Sequence, residues 1–105
     1  MPRWLPSVLR RIRDLASRRQ VRFTLKAQRE LARLGFDGED GRDILLRLTA
    51  MDAVGRLVSE GTGEWLYVFK PRLTGTLVYL KLALRTDCIV ISLHEDSGGN
   101  HEEHS

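Results

Sequence analysis

The stretch TLVYLKLALRTDCIVISLH, residues 76–94, decides the fold. Apolar side chains alternate with others on both sides of Arg85-Thr86-Asp87, the period-two pattern of two strands joined by a turn. Facing positions in an antiparallel pair sum to a constant. A tight turn at Thr86-Asp87 therefore pairs Arg85 with Cys88, Ala83 with Val90, Lys81 with Ser92 and Tyr79 with His94. Directly opposed residues share a face, so Tyr79, Lys81, Ser92 and His94 are expected together. Val78, Leu80, Leu82, Ile89, Ile91 and Leu93 are expected to fill the opposite, core side.

Upstream, the turn signals Gly61-Thr62-Gly63 and Pro71 to Gly75 mark off two more strands, Val54 to Glu60 and Glu64 to Lys70. A loop centred on Thr62 puts Arg56, Val58, Leu66, Val68 and Lys70 on one face and Leu57, Trp65, Tyr67 and Phe69 on the other. A one-residue slip exchanges the two sets.

Before Ala53 the period is helical. Leu5, Val8, Leu9, Ile12, Leu15 and Ala16 recur at three- and four-residue spacing, predicting a helix over residues 6–19 with Pro6 in its first turn. Val21 to Phe23 reads as a short extended segment. Thr24 then caps a second helix with Ala27, Leu31 and Leu34 as its stripe, ended by Gly35 with Phe36 folding back. Asp37 and Asp40 form a cap for a third helix through Leu48, whose buried face is Ile44, Leu45 and Leu48. The expected fold class is α+β, an antiparallel sheet of about four strands with the N-terminal helices packed on one face. Residues 1–96 are expected to form a single domain and the polar tail 97–105 to be disordered.

Of the 105 residues 42% are hydrophobic and 30% charged, a balance that supports a packed core and argues against a disordered chain. Cys88 is the only cysteine, which excludes an intrachain disulfide framework and a cysteine-based zinc site and points to a reducing, cytoplasmic setting. The longest apolar run, Leu73 to Leu84, is interrupted by Gly75 and Lys81, and no membrane span is expected. Arg10, Arg11 and Arg13 break any signal-peptide core, although an arginine-rich helix is also compatible with a transit peptide or a membrane-surface helix.

The net charge of +3 conceals a segregation. Residues 1–33 carry nine arginines and Lys26 against Asp14 and Glu30, whereas Glu95, Asp96, Glu102 and Glu103 gather at the other end. A basic body of this kind attracts polyanions or an acidic protein; a solvated basic face is the alternative for the N-terminal arginines.

A sheet face bearing tyrosine, histidine and lysine has what metal-free RNA cleavage requires: a base for the 2′-hydroxyl, cations for the phosphorane charge and an acid for the leaving oxygen. No metal or cofactor is called for. An imidazole with an unperturbed pKa near ~6.5 changes protonation at working pH, whereas a phenol near ~10 needs neighbouring cations to act as a base. The same residues also fit a solvated polar face without chemistry.

Three segments carry a resemblance: Val68-Phe69-Lys70-Pro71-Arg72-Leu73-Thr74-Gly75, then Val78-Tyr79-Leu80-Lys81, then Asp87-Cys88-Ile89-Val90-Ile91-Ser92. Together they are similar to the MqsR family of bacterial toxins, which shows V-Y-R-P-R-L, G-x-V-Y-L-K and D-V-L-I-V-S-F-K. The correspondence extends upstream through Gln20-Val21-Arg22 and Leu34-Gly35-Phe36-Asp37-Gly38, covering most of residues 8–95. It implies a RelE-like fold and a toxin that cleaves messenger RNA without a metal and is inhibited by a cognate antitoxin, with the ribosome a further candidate partner. The family tyrosine falls on Tyr79, its first-strand lysine on Arg56 and its C-terminal lysine on His94. Its functional glutamine falls on Leu66, which has no hydrogen-bonding group.

The expected catalytic set is thus His94, Tyr79, Arg56 and Lys81, with Lys70, Arg72 and Arg85 as RNA-binding cations. The competing expectation is a catalytically degenerate module that binds RNA or an antitoxin without cutting. His101-Glu102-Glu103-His104 is one residue short of a metalloprotease pattern, and Cys88 reads as a structural thiol. Trp65, Tyr67 and Phe69 alternate as a core face does.

Overall fold

The computed structural model describes residues 1–96, so the tail 97–105 with its histidine and glutamate run lies outside the described residues. Three helices, α1 (Leu5–Ser17), α2 (Leu25–Arg33) and α3 (Gly38–Arg47), precede a 3-10 turn at Ala50–Asp52. The strands are β1 (Val21–Phe23), β2 (Ala53–Val58), β3 (Trp65–Phe69), β4 (Arg72–Leu73), β5 (Thr76–Leu84) and β6 (Cys88–Glu95). In the sheet they run β1-β6-β5-β3-β2, with β4 paired to β5. The expected four-strand antiparallel meander is its centre. The short Val21–Phe23 segment adds a fifth strand, parallel to β6, and Arg72–Leu73 a sixth.

The helices form where their capping chemistry is good. Thr24 Oγ1 accepts from the Ala27 N–H at 3.1 Å, and Asp37 and Asp40 exchange side-chain and backbone bonds at 2.9 Å in a capping box. Helix α2 ends in a Schellman motif: Gly35, at φ 82°, donates to Ala32, Phe36 donates to Leu31, and the Phe36 ring packs on the core.

Helix α1 stops at Ser17, two residues short of expectation. Arg19 takes the left-handed conformation (φ 63°), and the Arg19 and Gln20 amides bond back to Ala16 and Leu15. This is the same motif with arginine where glycine is usual, so no glycine signals the stop. The left-handed backbone costs an arginine roughly 1–2 kcal/mol.

Two other arginines act on helix ends. Arg13 donates to the Leu48 carbonyl that closes α3, and Arg42 donates to the Ala16 carbonyl in the last turn of α1, both at 2.6 Å. Each helix thus supplies a cation to the C-terminal carbonyls of the other.

All six residues expected on the inner side of α1 are buried, together with Ala27, Leu31, Ile44, Leu45 and Leu48. They pack on Phe69, Val78, Leu80, Leu82, Cys88, Val90 and Leu93 of the sheet. Full burial of each Val, Leu, Ile or Phe side chain among them contributes roughly 1.5–3 kcal/mol.

The β5–β6 pairing differs from expectation near the turn. Leu84 faces Cys88 and Ala83 faces Ile89, so the turn holds three residues, 85–87, rather than two. A bulge at Ile91 then absorbs one residue, and Lys81 opposite Ser92 and Tyr79 opposite His94 stand as expected. Between turn and bulge the faces are exchanged. Val90 and Cys88 fill the core, while Ile89 and Ile91 are only half-buried.

This exchange predicts that Ile91 and Leu93, expected alike on the core side, differ in what their truncation costs. Leu93→Ala should destabilise by about 2–5 kcal/mol. Ile91→Ala should cost clearly less, because Ile91 sits at the bulge outside the packed core. Chemical denaturation of the two variants measures the difference.

Candidate active site on the uncovered sheet face

Helices cover one face of the sheet; the other carries three rows of side chains across the strands. Leu57, Leu66, Ala83 and Ile89 form an apolar row. Val68, Lys81 and Ser92 follow, extended at the β2 end by Gly55. Tyr79 and His94 make the third. Their rings stack at 5.1 Å between centroids with an interplanar angle of 18°. The hairpin therefore brings Tyr79, Lys81, Ser92 and His94 together on this face.

Arg56 does not join them. Ser59 and Glu64 close the β2–β3 loop, leaving four residues between them rather than three around Thr62. Arg56 consequently faces Tyr67, and Leu57 faces Leu66. This is the one-residue slip, and it sends Arg56 and Val58 to the helix-side face and Leu57 to the uncovered one. The Arg56 guanidinium lies 3.8 Å from the Trp65 ring centre and 5.1 Å from that of Trp4, a cation–π clamp between the N-terminus and the hairpin. Trp4 packs in turn on Tyr67 at 5.4 Å. The β2 position that does reach the uncovered face beside Val68 is Gly55, which has no functional group.

The other expected cations are engaged locally. Lys70 pairs with Asp96 at 3.2 Å, close enough to Tyr79 for both charges to act on it. Arg85 holds Glu64 in a two-pronged ion pair at 3.0 and 2.6 Å, and Arg72 donates to the Gly75 carbonyl at 3.3 Å. Five of the nine N-terminal arginines are similarly occupied: Arg11 and Arg13 by backbone carbonyls, and Arg18, Arg19 and Arg22 by Asp14, Glu39 and Asp87. Much of the basic segregation is thus structural.

The sequence reading missed two residues, Lys26 and Glu30 of α2. Among the described residues, the outer edge of β6 beyond Val90 has no strand partner, because β1 ends at Phe23. Helix α2 and its cap supply substitutes. The Thr24 amide donates to the Val90 carbonyl, the Thr24 hydroxyl to the Ile91 carbonyl, and the Leu93 amide to Glu30 Oε1 at 2.8 Å. Glu30 Oε2 lies 3.1 Å from His94 Nδ1 and accepts from Lys26 Nζ at 2.9 Å, while Lys26 Nζ also donates to Ser92 Oγ at 2.9 Å. The four-residue spacing of Lys26 and Glu30 on a helix was the available signal, but their contact with the site follows from the docking of α2 on β6.

Electrostatics separate the roles. Burial works to raise the Glu30 carboxyl pKa, but the Leu93 amide, the Lys26 ammonium and His94 outweigh it and hold the group below its ordinary value. Burial is also the main influence on Tyr79 and, with Asp96, overcomes Lys70, so that the phenol is pushed up. Tyr79 therefore keeps its proton near neutrality and is a donor rather than a base. Burial first, then Asp87, raises the Cys88 thiol to about 12, as befits an inert structural cysteine.

A carboxylate whose pKa is lowered by folding stabilises the protein above its unfolded value, and that contribution disappears as pH falls through the folded one. The melting temperature should therefore drop between pH 6 and pH 3 more in the parent protein than in Glu30→Gln, as measured by thermal scans of both across that range.

No curated protein matches the chain. A family model does: the one described as motility quorum-sensing regulator, toxin of MqsA, matches residues 6–95, which take in every strand described above and all of the helices except Leu5 at the start of α1. With the match running through both the helical layer and the strands that carry Tyr79 and His94, the chain belongs to the MqsR toxin family and is the toxin of a toxin–antitoxin system.

Proposed function

We propose that this toxin is a metal-independent endoribonuclease that cuts messenger RNA in the cytoplasm and so arrests translation, and that its centre is the uncovered face of β5 and β6. The observation that carries the reading is the stacked Tyr79–His94 pair, with Lys81 one row away on the same face. His94 Nε2 takes the proton of a 2′-hydroxyl, the 2′-oxygen bonds to phosphorus, and the bond from phosphorus to the 5′-oxygen breaks. That oxygen leaves with a proton from the Tyr79 hydroxyl, which burial keeps protonated. Products are a 2′,3′-cyclic phosphate and a 5′-hydroxyl. The Lys81 ammonium offsets the charge that grows on the phosphorane. Arg56 has no part in this step, since it lies on the other face. Lys70, Arg72 and Arg85 contribute to RNA attraction through their field rather than as unpaired donors, and the antitoxin or the ribosome are the protein-side partners that fit a basic toxin.

The second reading, a toxin that binds without cutting, is favoured by the apolar row. Leu66 and Gly55 put no polar group on the uncovered face of β3 and β2, and of the apolar row it is Leu57 and Ile89, at its two ends, that a strand or chain laid there would meet, since Ala83 and Leu66 are buried.

Cleavage of a defined messenger RNA in EDTA, followed by analysis of the termini, separates the two. The nuclease reading predicts cyclic phosphate ends from the parent protein and about 10²–10⁴-fold slower cutting by His94→Gln and Tyr79→Phe. Each variant should remain folded, as circular dichroism checks. Uncut RNA, with or without translating ribosomes, favours the binding module. RNA affinity should also fall steeply between low and physiological salt, because neutralising phosphates releases counterions.

A further inference from the structure

We infer that Glu30 is a positioning residue for His94, holding its neutral imidazole as the Nδ1–H tautomer so that Nε2 is the nitrogen free to transfer a proton. The inference rests on the nuclease reading for its catalytic consequence, but its geometric part stands independently. It follows from how Glu30 spends its two oxygens. Oε1 is fixed by the Leu93 backbone amide at 2.8 Å, which sets the carboxylate relative to the strand that bears His94. Oε2 then lies 3.1 Å from Nδ1. An ionised carboxylate can only accept, so the ring nitrogen facing it must be the one carrying hydrogen.

The hydrogen-bond partners of Glu30 support its ionised form. Lys26 Nζ bridges Oε2 and the Ser92 hydroxyl, and the carboxyl is held below its ordinary pKa despite a side-chain exposure of only 12%. The stack with Tyr79 fixes the plane of the imidazole, and the hydrogen bond to Glu30 fixes its rotation within that plane. The remaining charged groups around the ring are Arg33 of α2 and Glu95, which line the same hollow of about 280 Å³ as Glu30 and His94, together with Lys81 of β5 and the Lys70–Asp96 pair beside Tyr79. No charged neighbour other than Glu30 is within ion-pair distance of the ring among the described residues. A hydroxyl proton taken up at Nε2 leaves an imidazolium whose Nδ1–H points at a carboxylate, which stabilises the charge that forms.

The test is nitrogen NMR of the histidine ring in the intact protein at about pH 9, where a neutral imidazole reports its tautomer directly. The expected result is protonated Nδ1 and bare Nε2 for His94. Glu30→Gln, which keeps one acceptor for Leu93 but loses the second, should shift the ring towards Nε2–H. It should also lower kcat for RNA cleavage by about 10²-fold with KM little changed. His94 bearing hydrogen on Nε2 in the parent protein overturns the inference, whether or not Glu30→Gln folds. So does a tautomer that Glu30→Gln leaves unaltered, or a loss expressed in KM alone. The expected tautomer in a protein that never cuts RNA supports the geometric part and overturns the nuclease reading instead, so the two failures are distinguishable.

Discussion

The antiparallel pairing of β5 with β6 is the constraint on which the molecule depends. Its inner side supplies Val78, Leu80, Leu82, Val90 and Leu93 to the core that the helices cover, and its outer side supplies Tyr79, Lys81, Ser92 and His94. Because side chains alternate across a strand, a shift of one residue would move both sets at once. The three-residue turn imposes such a shift and the bulge at Ile91 removes it. Fold and candidate site are therefore set by one register, and the bulge is the point at which the hairpin is brought back into it.

Placing α2 against β6 has two consequences for the same bonds. The edge of β6 beyond Val90 would otherwise present unpaired backbone groups, a liability for any sheet. Thr24 and Glu30 satisfy them, and in doing so bring a carboxylate to the imidazole of the next residue along the strand. An edge-capping device and a histidine-orienting device are thus the same side chain. On the proposed reading, stability and proton transfer are linked at Glu30, whose two oxygens serve the Leu93 amide and the His94 ring.

Much of this was legible in the sequence. Helices α1 to α3 announce themselves through the spacing of Leu5 to Ala16, the Thr24 cap, Gly35 and the Asp37–Asp40 box, each a local signal with local causes. The Tyr79–His94 opposition was also readable, although through two irregularities that cancel. What failed was non-local or depended on loop geometry. Arg56 was placed on the wrong face because a four-residue loop was read as three, and parity does the rest. Ile89 and Ile91 exchanged places with Cys88 and Val90 because the turn was read as two residues when it holds three, and no residue type marks the bulge that restores the register. Arg19 adopts a glycine-like conformation without being glycine. The basic N-terminus was read as a polyanion footprint or a solvated face, whereas Arg11 and Arg13 bond backbone carbonyls and Arg18, Arg19 and Arg22 pair with acids. Glu30 was invisible as a site residue because only the docking of a helix on a strand brings it to His94, 64 residues later.

The central claim is that RNA engages the uncovered face of β5 and β6, away from the arginine clamped between two tryptophans. The most direct measurement is amide chemical-shift mapping with a short RNA made non-cleavable by 2′-O-methylation. The account predicts that perturbations concentrate at Tyr79, Lys81, Ser92 and His94 and at Glu30 behind them. Perturbations centred instead on Trp4, Arg56 and Trp65, with the His94 row unmoved, would contradict it.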